Sequence, residues 1–419
     1  MNDFEEILPR EWIMEVSDGN LVQYRNANTG IVIKRHPLSG DKRYLSPMPD
    51  CWSSWIDEHG NTLFINSING SKSYIDPRLS LPFSRFPNSR PLKSLQFDSL
   101  ATVSEVLNDC EVDGKFVIIL GGTSGIGLGL TKSLIQLGVN IICLSREPPP
   151  VKWLPFPSID NFRTSPGSHL FWTYLDLTRL QTTIDFAESF SRLGWPIDSI
   201  IISVSSLPES TQNLKSVDGF DLTLQVNLFA PILLIRLLMH RLQDTPNSTI
   251  VFVSCGALRA SNICGPEDIY STLEPLRSTY ETTKGRIQLY ANTKFLQVAF
   301  AYALRNATQR RNDQFPIIYA CCPGQIPESK HVLKASWSGW WWYKILRFVT
   351  YPFVKSMDCC AAGIVYCALH PTVKDAFIFE ECVPILVPEV MNNQELIKSV
   401  WNHINEMMES NMKLPPWIR

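Results

Sequence analysis

The chain opens without an apolar stretch. Met1-Asn2-Asp3-Phe4-Glu5-Glu6 is acidic, so the N-terminus lacks the features of a secretory signal. Strong charge of one sign is also missing, and a formal net charge of -2 gives no reason to expect nucleic-acid binding. The eleven cysteines have no ligand-type spacing and offer no metal site. They fall in apolar runs such as Cys321-Cys322 and Cys359-Cys360, which reads as reduced, buried thiols of a cytoplasmic protein rather than a disulfide framework. No uncharged run is long enough to serve as a transmembrane segment. The most apolar stretch, Trp337 to Phe353, is broken by Lys344 and Arg347 and is too short to span a bilayer. What the chain does have is 419 residues at 45% hydrophobic content, enough for two or three domains and a sizeable core.

One turn is rich in glycine. The apolar strand Val117-Ile118-Ile119-Leu120 runs into Gly121-Gly122-Thr123-Ser124-Gly125-Ile126-Gly127 and then a helical stretch, Leu128 to Leu137, with a second strand at Val139 to Leu144. In a strand–turn–helix unit of this kind Gly121 allows the tight turn, Gly125 lets the backbone approach a pyrophosphate and Gly127 lets helix and strand pack closely. The helix N-terminus then offers free N–H groups and a positive dipole end to phosphates. The second strand ends at Ser145-Arg146, where a fold that prefers NAD carries an acid; Arg146 suits a 2′-phosphate and favours NADP(H).

Tyr290 and Lys294 stand four residues apart at the head of an apolar helical run, so they share one face. An ammonium beside a phenol lowers the phenol's pKa, and such a pair can exchange a proton near neutral pH. Tyr280 and Lys284 form a second string of the same spacing.

These features together resemble the short-chain dehydrogenase/reductase family. The resemblance implies roles for further residues. Asp176, after the third apolar strand, touches the adenine region; Asn227 organises a water for the proton relay; the strand Thr249 to Cys255 ends in the substrate-orienting residue; Pro323 and Gly324 contact the nicotinamide; Lys294 also anchors the ribose. Three positions depart from the family. Leu120 replaces a Thr, Ser203-Val204-Ser205-Ser206 replaces an Asn-Asn-Ala-Gly segment, and the Ser position falls on Cys255, with Ser254 beside it as the alternative. A thiol is a weak hydrogen-bond donor, which puts catalytic competence in question.

The N-terminal part repeats itself. Leu8-Pro9, Trp12, Asp18-Gly19, Tyr24-Arg25-Asn26 and Pro37 are followed by Met48-Pro49, Trp52, Gly60-Asn61, Phe64-Ile65-Asn66 and Pro77. Each segment resembles a WW domain: three short strands, two turns and a buckle of the first Trp on the closing Pro. A WW domain grips a proline-rich peptide between two aromatic walls. Here those places hold Gln23 and Lys34 in the first module and Leu63 and Tyr74 in the second, so both grooves are eroded. The second module keeps proline-rich peptides as candidate partners.

The resulting fold class is α/β. Two small all-β WW-like modules (residues 6–39 and 46–80) lead through a stiff linker and a lead-in helix (81–112, the helix over Ser94 to Asn108) into a doubly wound parallel-sheet, Rossmann-type domain (113–410). The resemblance implies an oxidoreductase of the retinol- and steroid-handling type, with a lipophilic small-molecule substrate and NADP(H). The rival is a weakly catalytic or non-catalytic adaptor. The run from Trp337 to Phe353 reads as a substrate lid, or else as a surface for peripheral membrane contact. Cytoplasmic placement is expected. The resemblance adds nuclear, mitochondrial or Golgi association, although the family's basic run between the modules is reduced here to Lys42-Arg43.

Overall fold

The computed structural model describes residues 12–17, 21–26, 28–35, 37, 52–56, 62–66, 72–73, 97, 100–148, 169–207, 214–273, 282–309, 315–324, 356–371, 376–385 and 387–411. These fall into two units, one holding two small sheets and the other running from Ala101 onward.

In the first unit, β1 (Trp12–Val16), β2 (Val22–Asn26) and β3 (Val32–Ile33) form an antiparallel sheet, and β4 (Trp52–Ile56), β5 (Thr62–Asn66) and β6 (Lys72–Ser73) form another. Both modules thus have the three strands that the repeat predicts. Val22 and Tyr24, alternate residues of one middle strand, and Phe64 of the other are buried, as half-buried sheets require. Asn26 shapes the second turn of the first module: its Oδ1 accepts the N–H groups of Asn28 (3.0 Å) and Thr29 (2.9 Å). Trp12 and Pro37 are half-buried. The Trp52 side chain, Met48-Pro49, Tyr74, Pro77, the linker Leu79 to Pro91 and the run Trp337 to Phe353 lie outside the described residues.

The second unit begins with a short helix, α1 (Val103–Leu107). The helix expected over Ser94 to Asn108 therefore starts later. Thr102 and Glu105 explain the start, because they form a capping box: Glu105 N–H donates to Thr102 Oγ1 (3.3 Å) and Thr102 N–H donates to the Glu105 carboxylate (2.6 Å). Then follow β7 (Phe116–Leu120), α2 (Gly125–Gln136), β8 (Asn140–Ser145), β9 (Leu170–Tyr174), α3 (Leu180–Leu193), β10 (Ser199–Ile202), α4 (Leu222–Gln243), β11 (Thr249–Val253), α5 (Pro266–Leu273), α6 (Thr283–Gln309), β12 (Ile317–Cys322), α7 (Met357–Leu369), β13 (Ile378–Glu380), β14 (Val383–Ile385) and α8 (Gln394–Asn411).

The sheet order is β14-β13-β12-β11-β10-β7-β8-β9. Every pairing is parallel except β13 with β14. The strands are continuous apolar runs, with Ile118, Ile119, Ile141, Ile200, Ile201, Ile202, Val251 and Phe252 fully buried, because helices cover both faces. α1, α2 and α7 make one helical layer; α3, α4 and α6 make the other, with α8 packed on α6. The order reverses between β7 and β10, the switch point where a doubly wound sheet opens a crevice beyond its strand ends. α4 has the length and apolarity of a membrane-crossing helix, but it is a core helix: 83% of its apolar window is buried.

Candidate functional site

The glycine turn lies at this crevice. Gly121 follows β7 with φ +90°, a left-handed conformation that glycine adopts without strain, and its N–H donates to Leu144 O at 2.8 Å. A Cβ on Gly127 would lie 2.2 Å from Gly121 O and 2.8 Å from Ser203 Oγ, so only glycine lets the start of α2 close onto the turn. Ser203 Oγ in turn donates to Leu120 O (2.8 Å). Gly122 and Ile126 face inward, while Thr123 is half-buried and Ser124 exposed. Ser124 makes no side-chain cap to α2, and nothing stands within 4 Å of the place a Gly125 Cβ would take. Uncapped N–H groups beside an open cradle fit a pyrophosphate.

Around the cradle, Arg146 follows β8 and is exposed. Trp172 Nε1 donates to Ser145 Oγ (2.9 Å), which donates to Glu147 O (2.7 Å), and this fixes the bend at Arg146. Asp176 lies beyond β9, but its Oδ1 is already engaged by the N–H (3.0 Å) and hydroxyl (2.8 Å) of Thr178 in the turn before α3. Pro323 and Gly324 follow β12.

Tyr290 and Lys294 lie on α6, where the spacing puts them. The Tyr290 hydroxyl meets two side chains from neighbouring strand ends. Ser205 Oγ, in the loop after β10, donates to it at 2.9 Å, and Cys255 Sγ, just past β11, stands at 3.7 Å. Ser254 points away; it is buried, and its Oγ has no partner among the described residues. The strand-end residue facing the phenol is thus Cys255. Of the other Tyr–Lys string, Lys284 is exposed and Tyr280 lies outside the described residues.

Lys294 behaves differently from what the spacing suggests. Its buried ammonium donates to Val253 O (3.2 Å) and to Gln297 Oε1 (3.2 Å). A buried ammonium must find acceptors, and these two satisfy it. Burial holds its pKa below the usual lysine value. The Tyr290 phenol, expected to be lowered by Lys294, is instead pushed well above its ordinary value. Burial is the main cause and the neighbouring Cys255 the next, with the Ser205 hydrogen bond working in the opposite direction. The phenol is therefore held neutral.

Asn227 sits in a π-turn within α4, Gln225–Phe229. Its side chain brackets the loop after β10, with Oδ1 accepting Ser206 N–H (2.6 Å) and Nδ2 donating to Ser206 O (2.9 Å) and Thr293 Oγ1 (3.2 Å). Its carbonyl accepts Gln297 Nε2 at 3.1 Å, so the Gln297 amide bridges Asn227 to Lys294, the span that the resemblance gives to a relay water. Ser205 and Gln297 are site residues that the sequence did not point to. Ser205 stands in a segment that signals only a departure from the family; Gln297 is one polar residue in an apolar run and gives no signal.

In the second WW-like module Leu63 is half-buried on β5 opposite Trp55, which is 65% exposed. In the first, Gln23 Nε2 donates to Glu15 Oε2 (3.2 Å), and Lys34 is exposed.

Residues 115–271 match the short chain dehydrogenase family. The whole chain is similar to proteins named WW domain-containing oxidoreductase. It is 26% identical to the Drosophila melanogaster protein over 417 residues, covering 97% of each chain. It is 26% identical to the Homo sapiens protein over 406 residues, covering 95% of this chain and 93% of that one. A more distant relative is Homo sapiens Retinol dehydrogenase 11, 22% identical over 333 residues, covering 77% of this chain and 93% of that one.

Proposed function

We propose that the short-chain dehydrogenase domain of this chain is an NADP(H)-dependent oxidoreductase for a lipophilic alcohol or carbonyl, steroid- or retinoid-like, and that its WW-like modules serve protein interaction. One observation carries the reading: the Tyr290 hydroxyl, Ser205 and Cys255 converge beyond β10 and β11, at the same switch point as the glycine turn. The relative named as a retinol dehydrogenase supports a lipophilic substrate.

In this reading residues 121–127 hold the pyrophosphate and Arg146 the 2′-phosphate. Asp176 lies on the adenine side, Lys294 on the ribose side, and Pro323 and Gly324 on the nicotinamide side. The nicotinamide, when bound, supplies or accepts the hydride. Tyr290 gives its phenolic proton to the substrate oxygen in reduction and takes one back in oxidation; a phenol held neutral suits the reductive direction. Asn227 fixes the loop that carries Ser205 and Ser206. That no disulfide joins the ten described cysteines supports a reducing, cytoplasmic setting. The second module takes proline-rich peptides through Leu63 and Tyr74.

Titration calorimetry with NADPH and NADH tests the cofactor, and tighter NADPH binding is expected. Tyr290→Phe should abolish carbonyl reduction with cofactor affinity unchanged, while Tyr280→Phe should do little. Equal NADH binding, or loss of activity through Tyr280→Phe, would overturn the respective assignment.

A second reading, an adaptor that binds cofactor with little turnover, is favoured by the Gln297 amide lying across the relay and by the thiol of Cys255. Absence of turnover by the full chain across lipophilic ketones and aldehydes, with NADPH still bound, would select it.

A further inference from the structure

The proton carrier in the proposed reaction is Tyr290, and the role of Ser205 in catalysis rests on that reading. The geometry points to Ser205 as the positioning residue that holds and polarises the Tyr290 hydroxyl, a task that the Tyr–Lys spacing assigns to Lys294.

Three observations argue for it. Ser205 Oγ donates to the phenol oxygen at 2.9 Å, an ordinary O–H to O bond. Cys255 Sγ is 3.7 Å from the same oxygen, and a thiol is a poor donor. The Lys294 ammonium is occupied by Val253 O and Gln297 Oε1, both at 3.2 Å. The residue after β11 that faces the phenol, Cys255, thus carries a thiol where the family resemblance expects a hydroxyl, and the loop after β10, which pairs with β11 directly, supplies one. The two departures act as one exchange. The hydroxyl that meets the phenol comes from the loop of the neighbouring strand.

The loop is built to keep Ser205 there. Asn227 grips both backbone polar groups of the next residue, Ser206 N–H at 2.6 Å and Ser206 O at 2.9 Å. Ser203, two residues earlier, is tied to Leu120 O at 2.8 Å. Held at both flanks, Ser205 presents its donor in a fixed direction, with little reorganisation needed as charge develops. When the phenolic O–H bond breaks and its proton passes to the substrate oxygen, the electron pair stays on the Tyr290 oxygen. The Ser205 bond to that oxygen then becomes charge-assisted and strengthens. Against the upward push of burial and Cys255, the Ser205 bond favours the phenolate.

The test uses the full chain labelled with 13C at tyrosine Cζ, with the Tyr290 resonance assigned by its loss in Tyr290→Phe. Ser205→Ala should move the Tyr290 resonance even where the phenol is neutral, and should raise its titration midpoint. Ser205→Thr, which keeps the hydroxyl, should stay close to the parent. In carbonyl reduction with NADPH, Ser205→Ala should lower kcat by roughly 10- to 100-fold, the scale of one hydrogen bond to a charged group. The cofactor Kd should be unchanged, and the pH limb belonging to Tyr290 should move to higher pH. An unmoved resonance in Ser205→Ala, or a parent-like kcat and pH limb in an active protein, overturns the assignment. A parent without turnover overturns the enzyme reading instead, and the resonance then decides by itself whether Ser205 holds the hydroxyl.

Discussion

Asp221 and Arg286 form an ion pair buried on both sides, Nη1 to Oδ2 2.6 Å, each side chain only 3% exposed. Asp221 also caps the start of α4, its Oδ1 accepting Thr223 N–H at 2.7 Å, and Arg286 reaches Thr223 Oγ1 as well. The pair therefore ties the helix carrying Asn227 to the helix carrying Tyr290, shortly before each of those residues. Removing one partner leaves an uncompensated buried charge. Arg286→Ala should destabilise the domain by about 3–5 kcal/mol in urea unfolding. A loss below about 1 kcal/mol, the range of an exposed pair, would contradict this account.

Gly127→Ala tests the cradle. The new methyl would meet Gly121 O at 2.2 Å, and backbone there leaves nothing flexible to give way. A destabilisation of about 1–3 kcal/mol is expected from such overpacking. NADPH affinity should fall by about tenfold or more, since the turn opens where the phosphates bind. Calorimetry with NADPH reads both the affinity and any loss of binding-competent protein; unchanged affinity would remove the cradle from the site.

Cys255→Ser returns a strong donor to the end of β11, 3.7 Å from the phenol in the parent. Turnover on a lipophilic ketone should rise by about tenfold or more, with cofactor affinity constant. Ser254→Ala should leave turnover alone and be neutral or slightly stabilising, because it removes a buried hydroxyl without a partner among the described residues. The opposite pattern would mean that Ser254 turns into the site when substrate binds.

The Tyr290 phenol makes stability depend on pH at the alkaline end. Its pKa in the folded protein is raised by burial, so above the unfolded value of about 10 the unfolded chain gives up a proton that the folded protein keeps. The contribution is fully present below that value and is lost as pH rises toward the folded one. The stability of the parent relative to Tyr290→Phe should therefore fall between about pH 9 and about pH 11 in paired urea titrations. A constant difference would show that the phenol ionises alike in both states.

For the second WW-like module, Leu63→Tyr combined with Tyr74→Trp supplies two flat aromatic walls. Binding of a labelled Pro-Pro-x-Tyr peptide, followed by anisotropy, should strengthen by about tenfold or more, as two stacking walls of roughly 1 kcal/mol each would give. Tight binding by the first module without any change would refute its erosion by Gln23 and Lys34.

Local signals made much of this architecture legible. The glycine turn needs residues within a few positions of each other, and the strands announce themselves as apolar runs. The repeated Trp, turn and aromatic-x-Asn spacing points to both small sheets. Contacts between distant segments leave no such trace. Ser205 meets Tyr290 across 85 residues, Asn227 meets Gln297 across 70, and Arg286 meets Asp221 across 65. The Tyr290–Lys294 spacing tells where both side chains lie but not which acceptors the ammonium takes: Gln297 Oε1 is an i,i+3 neighbour on the same helix, whereas Val253 O comes within reach only once β11 and α6 are packed. The lead-in helix is shorter than its sequence suggests for a similar reason: Thr102 and Glu105 set its start through a reciprocal bond that outweighs the helix propensity of the residues before it.

The far end of the large sheet bears on where strand pairing stops. The stretch matching the family, residues 115–271, contains β7 to β11, and β12, β13 and β14 come from later in the chain. β11 is buried at all five positions. Without its neighbour it would present a row of unpaired amides flanked by bare apolar side chains, a template for stacking between molecules. The last strand in the order, β14, is short, runs against its neighbour and carries Pro384 at its centre, a residue with no N–H to offer an incoming strand. β12, β13 and β14 thus act as a stopper on this side of the sheet, covering the edge that β11 would otherwise present while the crevice beyond the strand ends stays open.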